Sequence, residues 1–143
     1  MKKLLSLYLI FAMNMVYSQN IESPSKEISV NFKLSVSGQP SYSVNCKNKP
    51  VIQESTLGIK LKGKPDLDAN FEIDNVKNSS FNESWIPVLG EQATIVNHYN
   101  ELIISLIQKE TQIKMNLIFR VFDEGVAFRY DFPKQKNLNY FII

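Results

Sequence analysis

The sequence predicts an all-β fold, and three observations carry that prediction. Apolar residues alternate with polar ones at a period of two through most of the chain, no segment shows an amphipathic helical stripe, and clusters of Gly, Pro, Asn and Asp interrupt the alternation. Several short strands with turn signals between them indicate an antiparallel sandwich or a barrel. The 143 residues give room for one domain, with no internal repeat, low-complexity tract or dividing linker.

The first residues stand apart from that domain. Lys2 and Lys3 precede an apolar run from Leu4 to Val16, broken by Ser6, Tyr8 and Asn14, and Val16-Tyr17-Ser18 fits a cleavage site. The expectation is a signal-peptide helix over residues 1–18, cut between Ser18 and Gln19, and a mature domain over residues 19–143 exported to the periplasm. The run is shorter than the roughly 20 residues that span a bilayer, so no membrane anchor is expected after cleavage.

Removing residues 1–18 takes two lysines and no acid, leaving fourteen basic residues against fourteen acidic ones. A balanced charge gives no support to nucleic-acid binding, which needs a basic face. Cys46 is the sole cysteine, so no internal disulfide is available, and its phase with Tyr42 and Val44 predicts a buried thiol.

The elements follow in order. Ile28, Val30, Phe32 and Leu34 alternate as a strand with one buried face, and Ser37-Gly38-Gln39-Pro40 turns the chain back. Tyr42, Val44 and Cys46 mark the next strand, Lys47-Asn48-Lys49-Pro50 the next turn, and Val51-Ile52 a short continuation. Leu57, Ile59 and Leu61 predict a further strand, and Phe71, Ile73 and Val76 one whose phase slips once, as at a bulge. Trp85 to Val88 reads as a short edge strand because Pro87 lacks an N–H. Leu102 to Ile107 is apolar on both faces except for Ser105 and predicts a central strand, and the alternation from Ile113 to Val121 is the cleanest in the chain.

Most catalytic templates fail for want of residues. His98 is the only histidine, which excludes a histidine-rich zinc site, and no G-x-S-x-G elbow accompanies it. Asp66-Leu67-Asp68-Ala69-Asn70 opens like a calcium loop, but Phe71 stands where the glycine belongs and Lys77 where the bidentate glutamate belongs. Asn78-Ser79-Ser80 and Asn82-Glu83-Ser84 fit the glycosylation pattern and read as polar loops. Trp85 and Tyr99, with Tyr130, are candidate platforms for stacking on sugar rings, which would make the chain a carbohydrate-binding module. A closed barrel carrying an apolar ligand is a further alternative.

The stretch IFRVFDEGVAFRYDF at residues 118–132 poses the enzyme question directly. Asp123 and Glu124 are adjacent residues of a hydrated turn, without the burial that raises a catalytic acid's pKa. Placing the odd residues up to Val121 and the even ones from Val126 on one face pairs Val121 with Phe128 and Phe119 with Tyr130. That register predicts a hairpin with a four-residue loop, Asp123 to Val126, in which Gly125 takes left-handed angles and is the fixed pivot. Arg120 and Arg129 then share the opposite face as cross-strand neighbours, which repel unless a carboxylate such as Asp131 separates them.

Several blocks resemble one family. They are Ser41-Tyr42-Ser43-Val44 with Lys49-Pro50-Val51-Ile52, Ser55 to Ile59 with Leu61, Glu83 to Glu91, Asn97 to Leu102, and Phe119 to Tyr130. In order and spacing they resemble the N-terminal domain of glycoside hydrolase family 97, bacterial exo-acting α-glucosidases and α-galactosidases. The resemblance implies part of a large β-sandwich, packed in the same chain on a catalytic (β/α)8 barrel that acts on α-linked sugars. It also implies calcium for the full-length family, with the glutamate that binds it lying beyond Ile143, so it assigns no catalytic, cofactor or metal residue to this sequence. The chain is thus expected to be incomplete at its C-terminal end and not an enzyme on its own.

Overall fold

The computed structural model describes residues 16–91 and 93–138. Two antiparallel four-stranded sheets face each other. The first comprises β1 (Tyr17–Glu22), β2 (Ile28–Leu34), β3 (Pro40–Cys46) and β4 (Lys49–Thr56) in that order. The second comprises β5 (Phe71–Trp85), β6 (Ile95–Gln108), β7 (Lys114–Phe122) and β8 (Val126–Asp131). The fold is therefore an all-β sandwich, and among the described residues no strand closes either sheet into a barrel. Most of the signal segment lies outside the described residues; Tyr17 and Ser18, placed before the expected cut, pair with Leu34 and Lys33 in β1.

Alternation explains the core. Val30 and Phe32 of β2 meet Leu102, Ile104 and Leu106 of β6 and Met115, Leu117, Phe119 and Val121 of β7 in one apolar cluster. Burying each such side chain stabilises the fold by about 1.5–3 kcal/mol. The phase slip read from Phe71, Ile73 and Val76 is a register shift between Ile73 and Asn75 against β6. β6 lies centrally, between β5 and β7.

Several expectations change. Asn78-Ser79-Ser80 and Asn82-Glu83-Ser84 are not loops but lie within β5, paired with β6. Leu57, Ile59 and Leu61 do not form a strand; the segment loops back, with Ile59 bridged to Leu67, and its leucines plug one end of the core. A loop that buries every second side chain has the same sequence pattern as a strand. Trp85 ends the long β5 instead of starting an edge strand, so Ile86 to Leu89 belong to the β5–β6 connection. Cys46 is free and only partly buried.

The β7–β8 hairpin also differs in register. Val121 pairs with Val126, Phe119 with Phe128 and Leu117 with Tyr130, which leaves a two-residue loop of Asp123 and Glu124. The Phe122 N–H donates to the Gly125 carbonyl at 2.8 Å and closes this turn. Apolar parity fixed the faces, but a slide of two residues preserves parity, so the pattern could not choose between the registers.

Candidate functional site

The second sheet presents an outward face on which three neighbouring strands contribute charge and aromatic rings. Tyr99 of β6 pairs with Phe81 of β5 on one side and Phe122 of β7 on the other. Its ring stacks on Phe81 at 5.2 Å and tilts against Phe122 at 5.0 Å, while the Arg120 guanidinium lies 4.7 Å from its centroid. Only 3% of Tyr99 remains exposed. The residue is thus enclosed by its neighbours and cannot serve as a sugar platform. Tyr130 is also turned inward, its hydroxyl accepting from the Gly58 N–H at 3.0 Å, and burial raises its pKa.

Glu101 supplies the carboxylate that Arg120 needs. It is Arg120's direct cross-strand partner, it is 8% exposed, and it accepts from Arg120 Nε at 2.7 Å. This hydrogen bond raises the arginine's pKa further above its ordinary value. Sequence reasoning missed Glu101 because its partner lies across β6 and β7, nineteen positions away. Asp131 is engaged elsewhere, accepting from Asn116 at 2.9 Å.

Arg120 and Arg129 do share this face, but they are not directly opposed: Arg120 pairs with Ala127 and Arg129 with Ile118. These four residues and Phe128 line a hollow of about 160 Å³. Among the described residues no carboxylate forms an ion pair with Arg129. Gly125 is not the pivot either. It lies outside the left-handed region, and a Cβ built there meets nothing within 4 Å.

Trp85 stands apart from this cluster. The β5–β6 pairs from Asn82 with His98 to Trp85 with Ile95 extend past the first β6–β7 pair, Tyr99 with Phe122. They form a two-stranded ribbon projecting from the sheet. Trp85 is 47% exposed near its tip, next to exposed Ile86, Val88 and Leu89.

Metal chemistry finds no cluster here. Among the described residues no group of three or more His, Cys, Asp and Glu side chains could hold an ion. Asp66, which opens the calcium-like stretch, uses its carboxylate to accept from the Leu61 N–H at 2.9 Å, and neighbouring Leu67 is fully buried. These residues do not fit a calcium site.

Comparison with known proteins gives this face its context. A family model described as "Glycosyl-hydrolase 97 N-terminal" matches residues 21–143. The chain belongs to this family. Among solved structures, a family 97 enzyme from Pseudoalteromonas sp. strain K8, determined with panose and again with acarbose, is 35% identical with a TM-score of 0.79. The match covers 86% of this chain and 19% of the Pseudoalteromonas chain. A beta-arabinopyranosidase at 24% identity and TM-score 0.73 shares the fold. The family 97 match thus accounts for the sandwich, and this chain spans about a fifth of the Pseudoalteromonas enzyme. No described helix is long and apolar enough to cross a membrane.

Proposed function

We propose that the chain is a non-catalytic N-terminal β-sandwich of an exported α-glycosidase, a scaffold and active-site rim for a (β/α)8 barrel that is not part of this sequence. The single observation that carries this reading is the match of the sandwich to 19% of a family 97 enzyme at 35% identity. Chemistry is consistent with it. The buried carboxylate on the second sheet, Glu101, accepts from Arg120 at 2.7 Å and is 8% exposed, which gives it a structural partner within the sheet.

Assay of the purified chain with aryl α-glucosides and α-galactosides tests the reading. No turnover above buffer is expected, and hydrolysis at enzyme-like rates would overturn it. Export to the periplasm is part of the same proposal; N-terminal sequencing of the mature protein is expected to begin at Gln19.

Exposed Trp85 favours a second reading, a secreted carbohydrate-binding module, for which Tyr99 no longer qualifies. Calorimetric titration with malto-oligosaccharides separates the two. Saturable heat that disappears in Trp85→Ala would favour the module.

A further inference from the structure

Charge on the outward face of β7 and β8 does not balance. Arg120 and Arg129 both stand there, and Glu101 pairs with the first of them through Nε at 2.7 Å. Asp131, two positions beyond Arg129 on the same face, accepts from Asn116 at 2.9 Å. All fourteen acidic residues of the sequence, from Glu22 to Asp131, lie among the described residues. None of them forms an ion pair with Arg129. One positive charge is therefore left over, and the sequence holds no further acidic side chain to meet it.

The surroundings of that charge are organised. Arg120 opposes Ala127 and Arg129 opposes Ile118, so the arginines are diagonal neighbours, at positions roughly 7–8 Å apart in a paired sheet. Together with Ile118, Ala127 and Phe128 they line the hollow of about 160 Å³. Arg120 is fixed from two sides, by the Glu101 carboxylate and by the Tyr99 ring 4.7 Å from its guanidinium carbon. Since Nε is the atom that meets Glu101, the two terminal amino groups of Arg120 remain as donors. Ile118, only 7% exposed on this face, gives the hollow an apolar wall.

We propose that the hollow between Arg120 and Arg129 is a binding site for a single carboxylate. A guanidinium presents a planar fork of donors that matches the two oxygens of a carboxylate, and a pair of forks can hold both oxygens at once. One carboxylate also cancels the one uncompensated charge, and its carbon stem would lie against Ile118 and Ala127. A phosphate dianion fits less well, because it brings a second charge and a further oxygen for which the lining has no side-chain donor.

Size limits the ligand in the same direction. Pockets that enclose whole small molecules run to roughly 300–1,000 Å³, so this hollow takes the acid group of a ligand and leaves the remainder outside. Two sources share that chemistry: an acidic sugar, and an Asp or Glu side chain of a protein segment. The inference stands on the two arginines and does not require the glycosidase reading.

The test follows the side-chain Nε–H resonances of Arg120 and Arg129 in the isotope-labelled chain at low ionic strength. Glucuronate represents the acidic sugar and N-acetyl-glutamate amide the protein side chain, with glucose and inorganic phosphate as controls. Saturable shifts of both arginine signals with either carboxylate, and none with glucose, are expected. Tighter binding of glucuronate would identify a sugar acid as the source, and tighter binding of the glutamate derivative a protein side chain; both support the site. Absence of saturable shifts with either carboxylate would overturn the inference, as would phosphate binding more tightly than both.

Variants at position 129 separate this site from general attraction to a basic surface. Position 129 pairs with Ile118 along the main chain, so the hairpin is retained when the side chain changes. Arg129→Gln is expected to weaken carboxylate binding by about tenfold or more, the effect of losing a hydrogen bond to a charged group. Arg129→Lys keeps the charge but loses the fork, and is expected to bind more weakly than the wild type. Binding unchanged in Arg129→Gln, or equal in Arg129→Lys and wild type, would show that no two-fork site exists.

Discussion

Two hairpin turns in this molecule each carry a glycine, and only one of them needs it. In the β2–β3 turn Gly38 has φ of 73°, and a Cβ there would collide with the backbone of Phe71. The turn also stitches the sheets together, since Phe71 N–H donates to the Gly38 carbonyl and Asn70 N–H to the Ser37 carbonyl, both at 3.0 Å. In the β7–β8 turn Gly125 has ordinary angles and open space around it. A glycine in a turn is essential when backbone from another element approaches it or when its φ is positive, and its place between two strands reveals neither.

The same substitution at the two sites gives the largest test of that contrast. Gly38→Ala combines a strained φ with a backbone collision and is expected to lose about 3 kcal/mol of stability, measured by urea denaturation. A loss under about 1 kcal/mol would show that the β2–β3 turn can move away from Phe71. The difference would then lie in the tightness of packing and not in the glycine.

Next in size is the ion pair behind the β7–β8 hairpin. Arg120→Ala leaves the Glu101 carboxylate mostly buried without its partner and is expected to lose about 2 kcal/mol, less than for a fully buried pair because Arg120 is partly exposed. Glu101→Gln, which leaves the more exposed arginine free to hydrate, is expected to cost about 1 kcal/mol. Equal costs from the two variants would mean that Glu101 is as well hydrated as Arg120. Gly125→Ala is expected to be neutral or to raise stability by about 0.5 kcal/mol, because it restricts the unfolded chain at a site that accepts a Cβ.

How much of this was legible in the sequence depends on whether the cause is local. The alternation of Met115, Leu117, Phe119 and Val121 marked β7 and its buried face, because side-chain period is a property of the strand itself. The turn at Lys47-Asn48 was also readable, and both residues adopt left-handed angles there. The loop around Leu57 and Leu61 was misread, because its alternation arises from plugging the core end and not from a ladder. Glu101 beside Arg120, and Phe71 against Gly38, are set by chain crossings that no window of sequence contains. The surface around Arg120 was therefore legible as family membership in the block Phe119 to Tyr130, and its partners were not.

The smallest effect belongs to Asp123, and its sign distinguishes the two turns in another way. Where Gly38 attaches its turn to β5 through backbone alone, the β7–β8 turn is held to the β1–β2 turn by a carboxylate: Asp123 accepts from the Ser25 N–H at 2.8 Å. That hydrogen bond lowers the Asp123 pKa below its ordinary value, with smaller support from the Ser25 hydroxyl. A folded pKa below the unfolded one, near 3.9, stabilises the protein above the unfolded value and loses that contribution as pH falls through the folded one. Wild type should therefore lose more thermal stability between pH 5 and pH 2 than Asp123→Asn, whose amide still offers an oxygen to Ser25 but does not titrate. The side chain is exposed, so the difference in melting temperature between the two proteins should be slight at neutral pH and should shrink further on acidification. Parallel pH profiles for the two proteins would show that water competes successfully for the carboxylate and that the β7–β8 turn is tethered by its strands alone.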